Sequence, residues 1–256
     1  NIELSGGTEY YENFENDLIE LKDRYKLNYR CHNYFPPPKK HFVLNLASLN
    51  DETFQASYSH LQRVVNLSNR LGADKFAFHA GFFIDIKLNE IGKKLSRDNL
   101  FDKKKAIERF CKAFIEIKKR SKNVNLFIEN NVFSSSNSDT YPGENPFMMT
   151  NFKEYKSLKE KIDFNLLLDI AHLKVSAKTL NLDLEKEFEK MMSVSSYIHV
   201  SNNDGFHDLN NQLTKSSILA SMLKQSDTQN KDFTLEVYDG MDAVKRSHEA
   251  LSEVVL

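Results

Sequence analysis

Short apolar strand-like segments alternate with amphipathic helical ones along all 256 residues, and that alternation predicts an α/β fold on a parallel sheet, a (β/α)8 TIM barrel. Two further observations point the same way. The length matches one barrel unit, and nearly every strand-like segment finishes in histidine, aspartate or glutamate. A parallel barrel delivers every C-terminal strand end to one rim, so residues far apart in the chain are expected to meet there.

The elements follow in order. A first strand starts near residue 2 and runs into Gly6 and Gly7. Residues 10–25 place Phe14, Leu18, Leu21 and Tyr25 at steps of three and four, which predicts a helix. After the strand Tyr29 to His32, residues 51–71 repeat the pattern with Phe54, Tyr58, Leu61, Val64, Val65 and Leu71, and Gly72 is a helix stop. Strands starting near 75, 124, 164, 197 and 233 then alternate with helices expected over 100–121, 151–161, 183–194, 213–225 and 241–254. Spacing of this kind favours parallel pairing through right-handed crossovers. The strands number seven, whereas a closed barrel has eight. The barrel's first strand and helix are therefore expected upstream of Asn1, because an open barrel leaves two unpaired edges.

Three connections are predicted to be irregular. Residues 33–47 contain Pro36, Pro37 and Pro38, which forbid a helix interior. Residues 130–151 are polar and turn-rich, and residues 81–97 follow His79.

Composition excludes several classes. With 40% hydrophobic residues the chain is expected to bury one core, as a single domain over residues 1–256. The net charge of −1 gives no global field toward nucleic acid or an anionic membrane. Cys31 and Cys111 are too few for a disulfide framework, and no apolar run approaches the ~20 residues that span a bilayer. Lacking a signal-peptide pattern as well, the chain is expected in the reducing cytoplasm.

The strand ends carry the chemistry. Glu129, Asp169, His199 and Glu236 each close a strand, and hard oxygen donors with an imidazole suit Mn2+ or Zn2+, and equally Co2+, Fe2+ or Mg2+. A single acid after an apolar strand is often a helix N-cap. Four such strands are better explained by a shared divalent ion. Cys31 offers the one thiolate on these strands, and alternation turns it away from His32.

In this order, Phe78 to Gly81, Ile128 to Asn130, Leu168 to His172, Ile198 to Gly205, and Leu235 with Glu236 resemble the motifs of the xylose isomerase-like TIM barrels. That superfamily includes sugar isomerases, ketose 3-epimerases and endonuclease IV. Likeness to the epimerases implies one metal held by Glu129, Asp169, His199 and Glu236. It also implies that Glu129 and Glu236 exchange a proton at the carbon beside a carbonyl, with His172 holding a substrate hydroxyl. Asn33, Asn130 and Lys174 are further candidates for hydroxyl contacts. Likeness to endonuclease IV adds His32 and His79 on a further metal with Glu129, and His172 and Asp208 on another. There the pattern continues Asp-x-His, and here Asn210 replaces the histidine, so one or two ions are expected rather than three. His207 is a lesser candidate ligand beside Asp208.

The first loop, Ser5 to Glu15, is acidic and lacks arginine and lysine, which argues against a phosphate backbone as partner, although Lys39, Lys40, Lys93, Lys94 and Arg97 offset it in part. The expected activity is a metal-dependent isomerase or epimerase of a small sugar or sugar phosphate. The competing readings are an endonuclease IV-like phosphodiesterase and a barrel that binds sugar or metal without catalysis. Relatives often pair through helical faces, so an oligomer is compatible with the sequence.

Overall fold

A computed structural model describes residues 1–255. Among the described residues seven strands and nine α-helices alternate, and the strand order in the sheet follows the chain. Contacts group the chain into two compact units, residues 1–128 with 161–164, and residues 129–160 with 165–256.

The first unit holds β1 (Ile2–Leu4), α1 (Phe14–Tyr25), β2 (Tyr29–His32), α2 (Asp51–Leu71), β3 (Lys75–His79), α3 (Lys103–Arg120) and most of β4 (Asn125–Glu129). β1 pairs parallel with β2, Leu4 opposite Cys31, and β2 with β3, His32 opposite Ala77. The core is aromatic: Phe78, Phe110 and Phe164 each pack against the ring of Phe114, all four nearly inaccessible. Cys31 is buried on the helix side of its strand near Ser68 of α2, and burial pushes its thiol up to about 12.

α2 shows how local signals set an element. Asn50 Oδ1 accepts from the backbone N–H groups of Glu52 (2.9 Å) and Thr53 (3.2 Å), and Gly72 at φ 66° ends the helix in the left-handed region where glycine costs least. Asn50→Ala is expected to cost about 1 kcal/mol in a urea titration, since both N–H groups lose their acceptor. A midpoint unchanged from the parent's would refute that role for the cap.

The second unit holds α4 (Ser135–Thr140), α5 (Phe152–Lys159), β5 (Asn165–Asp169), α6 (Ile170–Thr179), α7 (Leu184–Val194), β6 (Ser195–Val200), α8 (Ile218–Lys224), β7 (Asp232–Leu235) and α9 (Met241–Val255). Parallel pairing puts Asp169 opposite His199, and His199 opposite Thr234. Residues in register on parallel strands point to the same face, and Glu236, two positions beyond Thr234, returns to it. The backbone N–H of Glu236 donates to Val200 O (3.1 Å), which carries the ladder past β7.

Two helices depart from the expected pattern. α4 lies inside the stretch expected to be an irregular loop, and α6 has no counterpart among the expected helices. α6 buries Ile170, Ala171, His172, Leu173, Val175, Ser176 and Ala177. Lys174, half-buried, and Lys178, exposed, are its short polar side, which leaves its periodicity little contrast.

Candidate metal centre

Strand register supplies the site. One ligand atom from each of Glu129, Asp169, His199 and Glu236 lies within 4.8 Å of the others. His199 Nδ1 faces the acids, 2.9 Å from Glu236 Oε2 and 3.6 Å from Glu129 Oε1. Behind it the buried ring of Tyr197 meets the imidazole edge-on at 5.6 Å, and the Tyr197 hydroxyl lies 3.2 Å from Thr234 Oγ1.

The two carboxylate oxygens of Asp169 are placed differently. As N-cap of α6 its Oδ1 accepts from the backbone N–H of His172 at 2.7 Å. Its other oxygen, Oδ2, is buried without a hydrogen-bond donor among the described residues. The N-cap explanation of an acid after a strand thus holds at Asp169, and Oδ2 is left able to offer a ligand atom as well. Burial first, then the charges of Glu129 and Glu236, push this carboxyl up to about 7 against the pull of His172 and His199.

Asn130 fixes Asp169 from the side. Its amide donates to Asp169 O (3.0 Å) and its Oδ1 accepts from Asp169 N–H (2.8 Å). The Asn130 backbone carbonyl accepts from His172 Nδ1 at 2.9 Å, which sets the tautomer and directs Nε2 toward Asp208 Oδ2, 3.4 Å away. Burial opposes charge on His172, but Asp169, Asp208 and Glu129 outweigh it and raise the imidazole well above its ordinary value.

Other candidates are placed differently. In the first unit the rings of His32 and His79 are 5.7 Å apart, and His32 Nδ1 lies 3.3 Å from Ser5 Oγ and 3.8 Å from Glu3 Oε1. His207 is exposed, 2.8 Å from Asp204 Oδ2, and outside the cluster. Asn130 turns its side chain to Asp169, and Lys174 donates to Asn202 Oδ1 (3.1 Å) and to Asn203 O. Asn210 has φ 47°, accepts from Ser201 Oγ through Oδ1 (3.1 Å), and offers its carbonyl to Tyr238 N–H (2.9 Å). Sequence reasoning did not find Tyr238, whose hydroxyl donates to Glu236 Oε1 at 2.6 Å. Its one signal was its place two residues past a strand-end acid.

A divalent ion fits this donor set. Three carboxylates in one largely buried place need compensating positive charge, and Asp169 Oδ2 has no other partner among the described residues.

The fold agrees with solved structures. A D-tagatose 3-epimerase-like protein superposes with a TM-score of 0.71 at 18% identity, covering 99% of this chain and 87% of its own. D-psicose 3-epimerase with D-tagatose from Clostridium cellulolyticum gives 0.63 at 10% identity, covering 99% and 98%. Endonuclease IV from Thermus thermophilus gives 0.60 at 13% identity, covering 97% and 83%. None of the curated proteins matches the sequence closely enough to count as a relative. The model of one family matches residues 7–254, nearly the whole chain, and the protein belongs to that family, the xylose isomerase-like TIM barrels.

Proposed function

We propose that the protein is a divalent-metal-dependent isomerase or epimerase of a small sugar or sugar phosphate, working by proton transfer at the carbon beside a carbonyl. One observation carries the reading: Glu129, Asp169, His199 and Glu236 gather their ligand atoms within 4.8 Å. The epimerases among the structural neighbours support it, as does the extent of the family match, which also favours one domain.

The four residues would hold the ion. When bound there, a divalent cation polarises the carbonyl and hydroxyl oxygens of a ketose, which acidifies the adjacent C–H. The chain does the rest. Glu129, fully buried, and Glu236, whose side chain is 17% exposed, are the carboxylates that take and return the proton. Asp169 is locked by its cap and by Asn130, so it holds position and does not act as a base. His172, anchored through Nδ1, presents Nε2 beside Asp208 for a substrate hydroxyl.

The same His172–Asp208 pair favours a second reading. Asp208 Oδ1 is buried without a hydrogen-bond partner among the described residues, as expected of a group built for a further cation. That would suit an endonuclease IV-like phosphodiesterase. One experiment separates the readings. Protein purified without chelators or affinity metals is expected to contain about one equivalent of divalent metal by elemental analysis, and to incorporate solvent deuterium into a ketose. Three equivalents with cleavage of abasic DNA would establish the nuclease. Tight sugar binding with no exchange across a broad ketose panel would leave a non-catalytic barrel.

A further inference from the structure

We propose that Tyr238 is a positioning residue that fixes Glu236 as a one-oxygen ligand, an inference resting on the metal-centre reading above. Each oxygen of this carboxylate has a partner. Glu236 Oε2 lies 2.9 Å from His199 Nδ1, inside the cluster, and Oε1 accepts the Tyr238 hydroxyl at 2.6 Å. A carboxylate otherwise alternates between giving one oxygen and giving two to a cation. With a donor on Oε1, only Oε2 is turned to the ion.

The phenol is held for this task from its root. Val237, between the two residues, is buried, and the Tyr238 backbone N–H donates to the carbonyl of Asn210 at 2.9 Å. Asn210 is itself secured by Ser201 Oγ at 3.1 Å. Tyr238 is 68% exposed, so packing does not require its ring. An exposed aromatic ring tied at both its backbone and its hydroxyl serves the group that the hydroxyl touches. Through Asn210 the same tie joins Glu236 to the loop that carries Asp208, two residues earlier. The residue that replaces an expected imidazole therefore has a structural duty: its carbonyl anchors Tyr238.

Co2+ is the probe, because its visible absorption reports coordination number directly and needs no substrate. Tyr238→Phe keeps the ring and removes the hydroxyl. Metal-free, it is expected to melt at the parent's temperature. It should bind Co2+ about 10-fold more weakly, the usual effect of losing a group that orients a ligand, and its visible bands should change as the freed oxygen reaches the ion. In a Glu236→Ala background, which removes the acceptor, the same change should have no further effect on affinity, since the two groups act as one unit. An affinity and spectrum equal to the parent's would overturn the proposal. So would a Tyr238→Phe effect that persists in the Glu236→Ala background. A parent protein that takes up no Co2+ overturns the metal centre itself, and the positioning role falls with it.

Discussion

Glu236→Gln and Glu129→Gln are each expected to lower turnover by about 1,000-fold, read as deuterium incorporation into whichever ketose the parent exchanges, because a positioned carboxylate base has no substitute there. Glutamine keeps the shape and removes the charge. The metal-free variants should be as stable as the parent or slightly more so, since the cluster crowds acids together: Asp169 is raised first by burial and then by the charges of Glu129 and Glu236. A structural role predicts the opposite sign, with melting lowered. Loss of less than 10-fold, with metal content unchanged, would remove both residues from the chemistry.

The second large effect concerns support. Asn130→Leu should destabilise the fold by roughly 2–4 kcal/mol in a urea titration, because it strands the buried N–H and C=O of Asp169 at once, each worth about 1–3 kcal/mol. The carboxylate would also lose its fixed direction, so metal affinity should fall along with stability. A midpoint shift equivalent to less than about 1 kcal/mol would mean that water or a neighbour replaces both bonds.

Strand positions were legible because each strand is a short apolar run closed by a polar residue: those expected near 2, 29, 75 and 197 begin at Ile2, Tyr29, Lys75 and Ser195. The helix over 51–71 was equally plain, with Asn50 and Gly72 as its punctuation. α6 was not legible, since seven of its ten residues are buried and Lys174 and Lys178 alone give too short a polar face to mark its period. The cluster of four was visible as strand ends, and the register pairs two of them, Asp169 and His199, directly. Their supports stayed hidden. Asn130 sits one residue past Glu129, where a substrate contact is the natural expectation, but its amide closes on a peptide group 39 residues away. The place of Tyr238 two residues past a strand-end acid does not say that its hydroxyl turns back, and the β7 exit conformation decides it.

Asp169 also launches α6, so an engineer who exchanges it for another donor disturbs the start of a largely submerged helix in the same stroke. Glu236 begins no helix and is partly open to water. Attempts to retune the preferred cation or the substrate should therefore start from the β7 margin, where chemical change is least entangled with folding.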